Sequence, residues 1–338
     1  MQAPITTGLL AYGMSGRIFH APFLSTNAGF RFKGVVERRE KKAAARYPDI
    51  VSYDSVEELL KDDEIELVII NTPNFTHCDL AMQALRAGKH VLIEKPAAAT
   101  SAEVKLMFDF GRRVNRQVMI YQNRRWDSDF LSVKEIIESG KLGELVEVHF
   151  RFDRYKPILS PKKFKETKDT PANGLVYDLG PHIIDNAIAL FGRPLSFDKV
   201  TAMHREGSAV VDYFNFRLSY PNQLTVYLTS GLLIADVPPG FVVRGSLGSF
   251  VKDRCDVQEV QLDNGMLPTD KAYGIEPQGS EGKLLTADID NQINTEWIKS
   301  PKGNYNGLFD AVYHTIRNNA LFPVTEEHIS WQLELIES

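Results

Sequence analysis

A two-domain α/β chain is what the sequence predicts: an N-terminal Rossmann-type, doubly wound parallel sheet, then an α+β domain on a large, mostly antiparallel open sheet. Three observations carry this. Short apolar runs alternate with helical segments as far as residue 122, and a glycine-rich turn follows the first of those runs. From about residue 145 the rhythm changes to long strand-like runs with few helices between them. The boundary falls at 122/123, giving domains 1–122 and 123–338, and a chain of 338 residues is also long enough for about two cores.

The first run, Ile5 to Ala11, is apolar enough for a buried parallel strand, and Ala11-Tyr12-Gly13-Met14-Ser15-Gly16 follows where the chain must turn into a helix. Gly13 would let the backbone approach a pyrophosphate, and Gly16 would let the new helix lie against the strand. The N–H groups opening that helix would face the phosphates. Ala11, Gly13, Met14, Ser15 and Gly16 are therefore candidate coenzyme contacts. The motif opens with alanine where the usual fingerprint has glycine, and an ordinary strand-to-helix connection uses the same glycines.

The continuation favours a dinucleotide. A second strand, Phe30 to Val36, ends in Glu37, twenty-one positions after Gly16, where an acidic side chain accepts from the ribose hydroxyls and favours NAD. Arg38 and Arg39 beside it suit the 2′-phosphate of NADP, or simply a solvated helix face. Both coenzymes stay open, with Glu37 tilting the choice to NAD.

The remainder of the first domain keeps alternating. Ser55 to Glu58 is a capping box, Leu67 to Asn71 a buried strand, Thr76 to Ala87 a helix closed by Gly88, and Val91 to Glu94 the next strand. Thr100 to Glu103 is a second capping box, and Val118 to Tyr121 completes the series. Ligands of such sheets bind beyond the carboxyl ends of the strands. Thr72, Pro73, Asn74, His77, Glu94, Lys95 and Asn123 fall there, although Asn74 and Thr76 also read as helix caps.

In the second half, Leu145 to Phe152, Lys199 to Arg205, Val210 to Tyr220, Leu224 to Ile234 and Phe241 to Lys252 are strand candidates. Helices near 178–191 and at the C-terminus would cover part of one face. A partner subunit would cover the other, as in a homodimer or homotetramer. The stretch 262–306, rich in Gly, Asn, Asp and Pro, reads as a functional loop. A net charge of −5, without basic excess, argues against a nucleic-acid partner. No apolar run approaches a membrane span and MQAPITTGLL lacks a cationic start, so a cytoplasmic protein with no membrane partner is expected. Cys78 and Cys255, without a CxxC or His/Cys cluster, suggest neither disulfide framework nor metal site, and both read as small buried hydrophobes.

The runs GLLAYGMSGRIFHAPFL, NTPNFTH, ALRAGKHVLIEKP, YQNRRWDSDFLSVKEII, YDLGPHIIDNAIALFG and, near the C-terminus, GNYNGLFDAVYHTI resemble the glucose-fructose oxidoreductase and inositol dehydrogenase family, Gfo/Idh/MocA. The YQNRRWD segment is similar to the branch containing scyllo-inositol dehydrogenases. The resemblance implies hydride transfer between NAD(P) and a carbon bearing a hydroxyl or carbonyl, usually in a sugar or cyclitol. It also implies that Lys95, Asp178 and His182 form the catalytic group.

The chemistry asks for such residues. Oxidising a secondary alcohol requires a base for the hydroxyl proton and a cation for the developing alkoxide. Lys95 would supply the cation and His182 the base. Asp178, four residues earlier, would share a face with His182 if the segment is helical, with Pro181 in the first turn and Asp178 or Leu179 near the cap. Which group carries the proton stays open. Asn123 and Arg124 are candidates for the nicotinamide or substrate, whereas Arg125 and Trp126 read as packing residues. Tyr155 and Tyr273 are candidates to reach a polyol, with burial and a satisfied hydroxyl the plainer reading for both. His20, His149 and His204 are scattered and receive no chemistry. A non-catalytic dinucleotide sensor and a reductase of another carbonyl or imine compound are the alternatives.

Overall fold

The computed structural model describes residues 2–161 and 166–338. The first apolar run becomes β1 (Ile5–Leu9), buried along its whole length. With β2 (Phe30–Val36), β3 (Val51–Tyr53), β4 (Leu67–Ile70), β5 (His90–Glu94) and β6 (Val118–Tyr121) it forms a six-stranded sheet. All pairings are parallel and the order is β3-β2-β1-β4-β5-β6. The order reverses between β1 and β4, which opens the crevice where such sheets bind ligands. Both anticipated helix caps are present: Ser55 accepts from the Glu58 N–H, and Thr100 with Glu103 makes a complete capping box. The short β3, edged by exposed Val51, carries too little apolar signal to be read from sequence.

The chain divides into two bodies, and the first takes more than the residues up to Asn123. It also includes Gln258–Tyr273 and Asn304–Ser330. An aromatic cluster explains this. The helix Asn306–Asn318 buries Leu308, Phe309 and Val312, and Phe309 stacks on Phe23 with ring centroids 4.9 Å apart and planes 8° from parallel. Tyr273 and Tyr305 each approach the same Phe23 ring at 6.3 Å. Arg317, from the same helix, pairs with Glu66 and donates to the carbonyls of Ala3 and Pro4.

The second body is built on eight strands: β7 (Leu145–Arg151), β8 (Ser196–Ala202), β9 (Tyr213–Ser219), β10 (Thr225–Gly231), β11 (Phe241–Gly245), β12 (Gly248–Lys252), β13 (Gly282–Ala287) and β14 (Ile293–Ile298). Their order is β14-β13-β12-β11-β7-β10-β9-β8, antiparallel throughout except for the parallel pair β7–β10. One face presents Val148, Phe150, Phe216 and Leu228 to the helices of this body, while the other carries His149 stacked on Tyr227 and the exposed Trp297.

Two expectations change here. The run Phe241 to Lys252 is not one strand but the hairpin β11–β12, turning at Ser246-Leu247. A Cβ on Gly245 would lie 2.1 Å from the Leu142 carbonyl oxygen, and one on Gly248 2.1 Å from that of Leu285, so both glycines mark close backbone approaches. The stretch 262–306 is not one long loop, because it contributes β13 and β14. Its β14 is mostly exposed on both faces, so the alternation that identifies a strand is missing.

Cys78 and Cys255 are free and half-buried rather than core, with burial pushing their thiols up to about 11 and about 12. Among the described residues no helix is long and apolar enough to cross a membrane, and no three His, Cys, Asp or Glu side chains gather as a metal site requires.

Replacing Phe309 with alanine should destabilise the first body by about 3–5 kcal/mol in denaturant unfolding, since it empties the centre of the aromatic cluster. A loss under about 1 kcal/mol would show that the C-terminal helix is not part of that core.

Candidate active site

At the carboxyl end of β1 the Asn71 side chain pins Ala11 from both sides. The Ala11 N–H donates to Asn71 Oδ1 at 3.1 Å, and Asn71 Nδ2 donates to the Ala11 carbonyl at 2.8 Å. A Cβ on Gly16 would sit 2.2 Å from that same carbonyl oxygen, so this glycine is required by backbone contact. Around Gly13 a Cβ would meet nothing within 4 Å, which leaves open space in front of the turn. Met14 is exposed at the turn's tip. The chain then makes one π-helical turn, Gly16–His20, before the α-helix Ala21–Thr26. Beside the turn lies a cavity of about 790 Å³ whose walls include Ala11, Tyr12, Arg38, Arg39, Thr72 and Pro73. Its position and size fit the adenosine end of a dinucleotide.

Glu37 also lines this cavity, but its carboxylate is engaged elsewhere. It is 7% exposed and accepts from the Lys42 N–H at 2.8 Å, the Ala43 N–H at 3.1 Å and the Ser52 hydroxyl at 2.7 Å. The expected ribose acceptor is therefore a brace for its own loop, which holds Arg38 and Arg39 at the cavity's edge. Residue type and spacing were legible in the sequence. That the chain after Arg39 folds back onto the carboxylate was not.

His77, expected among the coenzyme contacts, is fully buried. Its Nδ1 faces the Pro96 carbonyl at 2.8 Å and its Nε2 the Thr72 carbonyl at 2.9 Å, and burial holds its pKa below the ordinary value. It ties the loop after β4 to the loop after β5 from beneath. Thr72 and Pro73 remain on the cavity wall, with Thr72 Oγ1 2.6 Å from Thr76 Oγ1. Asn74 opens the 3₁₀ turn Asn74–Thr76.

Lys95 follows the last residue of β5, and its peptide bond to Pro96 is cis. Glu94, which precedes it, accepts from the Ser15 hydroxyl at 2.6 Å and faces His20 Nε2 at 2.8 Å, both on Oε1. Burial pushes this carboxyl up, but the His20 and Ser15 hydrogen bonds outweigh it and hold the group below the usual range. His20 is thus a residue that sequence reasoning passed over. The only trace is its place one turn beyond the glycines, where the local π-helical winding rather than any motif decides its direction. Asn123, which opens the 3₁₀ turn Asn123–Trp126 just beyond β6, is buried.

In the second body, Arg124 donates to Asp127 at 3.1 Å, and its guanidinium packs 5.1 Å from the Phe152 ring centre. Arg125 makes a bidentate pair with Asp185 at 2.8 and 2.7 Å, which anchors this turn to the helix Gly180–Phe191. Asp178 and His182 do not share one continuous helix. The helix Leu175–Asp178 ends, Leu179 caps the next, and Pro181 has no N–H with which to carry the ladder back to Tyr177. Asp178 is exposed, whereas His182 is buried 6.1 Å from the Phe152 ring. The same ring receives the guanidiniums of Arg154 at 5.2 Å and Arg254 at 4.4 Å, and burial lowers Arg254 to about 10. Neither arginine nor Phe152 stood out in the sequence, because the strand pattern gives no hint of which ring they meet.

Tyr155 is exposed, and its backbone bridges to Leu233. Tyr273 differs from the polyol reading: it is buried in the first body, with its hydroxyl donating to Gln258 at 2.9 Å.

Comparison with known proteins matches residues 5–122 to an oxidoreductase family with an NAD-binding Rossmann fold, and residues 130–251 to the GFO/IDH/MocA C-terminal domain. The chain belongs to the Gfo/Idh/MocA oxidoreductases. It is 34% identical to the scyllo-inositol 2-dehydrogenase (NADP(+)) IolW of Bacillus subtilis, over 99% of this chain and 92% of that one. It is 41% identical to the uncharacterized oxidoreductase C26H5.09c of Schizosaccharomyces pombe, over 93% and 89%. The crystal structure of an oxidoreductase from Bacillus cereus superposes with a TM-score of 0.90 at 34% identity, covering 98% of this chain and 95% of that one. As a member of this family the chain is an NAD(P)-binding oxidoreductase.

Glu37→Ala should cost about 1–3 kcal/mol in denaturant unfolding, because it strands buried N–H donors. Isothermal titration should show NAD+ affinity falling no more than NADP+ affinity. A loss confined to NAD+ would return Glu37 to the ribose.

Proposed function

We propose that this chain is an NADP-preferring dehydrogenase/reductase that interconverts a secondary alcohol and a ketone on a sugar or cyclitol of the inositol kind. The observation that carries the reading is the arrangement at the carboxyl edge of the parallel sheet. There the glycine turn, the arginine-flanked cavity and Lys95 occupy adjoining strand ends, and the Glu37 carboxylate is already committed to its loop. The relative named as an NADP(+)-dependent scyllo-inositol dehydrogenase supports both coenzyme and substrate class.

Ala11, Gly13, Met14, Ser15 and Gly16 would hold the pyrophosphate, Thr72, Pro73 and Asn74 the adenosine side, and Arg38 with Arg39 the 2′-phosphate. When bound, the nicotinamide supplies the hydride acceptor or donor. In oxidation the substrate hydroxyl gives its proton to the His182 imidazole as hydride leaves the carbon, with the Lys95 ammonium stabilising the alkoxide that develops. Asp178 and Arg124 bind substrate hydroxyls. In reduction the same groups run in reverse, and Lys95 and His182 hold the proton that the alkoxide takes up.

Following reduced-nicotinamide absorbance with scyllo-inositol, myo-inositol, glucose and glucuronate against each coenzyme tests the reading. The uronate is included because three guanidiniums surround Phe152 beside His182. Turnover with a cyclitol and NADP+ is expected, and coenzyme binding without turnover of any of the four would favour a sensor. Lys95→Ala should lower kcat by roughly 10²–10⁴-fold with NADPH affinity within about threefold. Undiminished turnover would remove Lys95 from the chemistry.

A further inference from the structure

We propose that the Arg154 guanidinium is a carboxylate-binding group, so that the preferred polyol of this chain is a sugar acid: Arg154 takes the substrate's carboxylate while His182, beside the same Phe152 ring, faces the reacting hydroxyl. The inference rests on the reading that His182 handles the substrate proton, and it deepens that reading by naming the charge the substrate carries.

Arg154 is held in place without the use of its side-chain donors. Its backbone N–H donates to the Gly231 carbonyl at 2.9 Å and its carbonyl accepts from the Ile234 N–H at 3.2 Å, which fixes the residue against the end of β10. The half-buried guanidinium lies over the Phe152 ring, 5.2 Å from its centre, and the His182 ring centre is 6.1 Å from the same point. Guanidinium and imidazole are therefore no more than about 11 Å apart, a gap that a six-carbon acid bridges with a hydrogen bond at each end. Among the described residues the Arg154 side chain makes no hydrogen bond and no ion pair, so the donor fork is unspent. A group already fixed by main chain and ring loses little freedom on binding a ligand.

The neighbouring charges leave this one over. Arg124 is paired with Asp127 at 3.1 Å, Arg151 with Asp153 at 2.7 Å and Arg125 with Asp185 at 2.7 Å. Arg254 lies over both the Phe152 and Phe241 rings at 4.4 and 4.5 Å, donates through Nε to the Arg151 carbonyl at 2.6 Å, and feels Asp129 first among the nearby carboxylates. Among the described residues Arg154 has no carboxylate of its own. The anion that completes it comes from the substrate, and a planar carboxylate meets the fork with two parallel hydrogen bonds. One unpaired cation balances the single charge of a carboxylate and not the nearly double charge of a phosphate monoester. The roles assigned above for hydride transfer and hydroxyl binding leave Arg154 unused.

The experiment is isothermal titration of the NADP+-loaded protein with glucuronate, glucuronamide and glucose 6-phosphate, in the wild type, Arg154→Met and Arg154→Lys. Glucuronate and its amide differ only in the charge of one planar group. The wild type should bind glucuronate at least about tenfold more tightly than the amide. In Arg154→Met, which keeps an apolar stem over Phe152, that preference should fall to about twofold or less, and Arg154→Lys, which keeps the charge without the fork, should retain part of it. No preference in the wild type overturns the proposal, as does a preference that survives in Arg154→Met. An equal loss of both ligands in that variant is also fatal, since it confines Arg154 to packing on the ring. Glucose 6-phosphate bound more tightly than glucuronate overturns the carboxylate assignment. Turnover, followed by reduced-nicotinamide absorbance, separates the two layers. Oxidation of scyllo-inositol without any preference for glucuronate sinks this proposal and leaves the dehydrogenase reading standing, whereas an Arg154-dependent preference with turnover of neither compound does the reverse.

Discussion

A carboxylate in a nearly dry position must be surrounded by donors, and in the first body Glu94 imposes that requirement on three segments at once. The hydroxyl of Ser15 comes from the glycine turn, the imidazole of His20 from the π-helical turn behind it, and the N–H of Lys95 from the residue that follows β5. The turn that would cradle the pyrophosphate and the lysine proposed for chemistry are therefore held by the same group. On the neighbouring strand, Asn71 does for Ala11 what Glu94 does for Ser15, and it leaves Gly16 no room for a side chain. The loops at the carboxyl edge are tied down by side chains of adjacent strand ends that satisfy their polar groups, rather than by regular structure of their own.

The second body uses a different device. It gathers cations around a ring, Phe152, over which Arg124, Arg154 and Arg254 lie and near which His182 is buried. Guanidiniums on an aromatic face keep their charge while burying their flat surfaces, so positive charge accumulates in a poorly hydrated place. The break at Pro181 lets the chain end one short helix and begin another. This gives Asp178 and His182 different environments, one wet and one dry, although only four residues separate them.

Much of the fold was legible in the residues. Short apolar runs at Ile5–Leu9, Leu67–Ile70 and Val118–Tyr121 specify parallel strands buried along their length, and the capping boxes at Ser55 and Thr100 mark where helices open. The same reasoning failed where local pattern is weak. β14 is exposed on both faces, the hairpin at Ser246-Leu247 interrupts an otherwise uniform apolar run, and the aromatic residues near the C-terminus return to the first body. Each depends on contacts between residues far apart in the chain, which no window of the sequence contains.

The sequence by itself determined the family, the two kinds of sheet and the residue types available for chemistry, because periodicity, glycine spacing and short motifs are local properties. Tertiary structure alone decided what each polar side chain is bonded to. It turned Glu37 from a ribose acceptor into a loop brace, His77 and Tyr273 into buried supports, and His20 from an unassigned histidine into a partner of Glu94. A buried donor or acceptor takes whichever partner folding brings within about 3 Å, and that choice is made by the whole chain rather than by its neighbours in sequence.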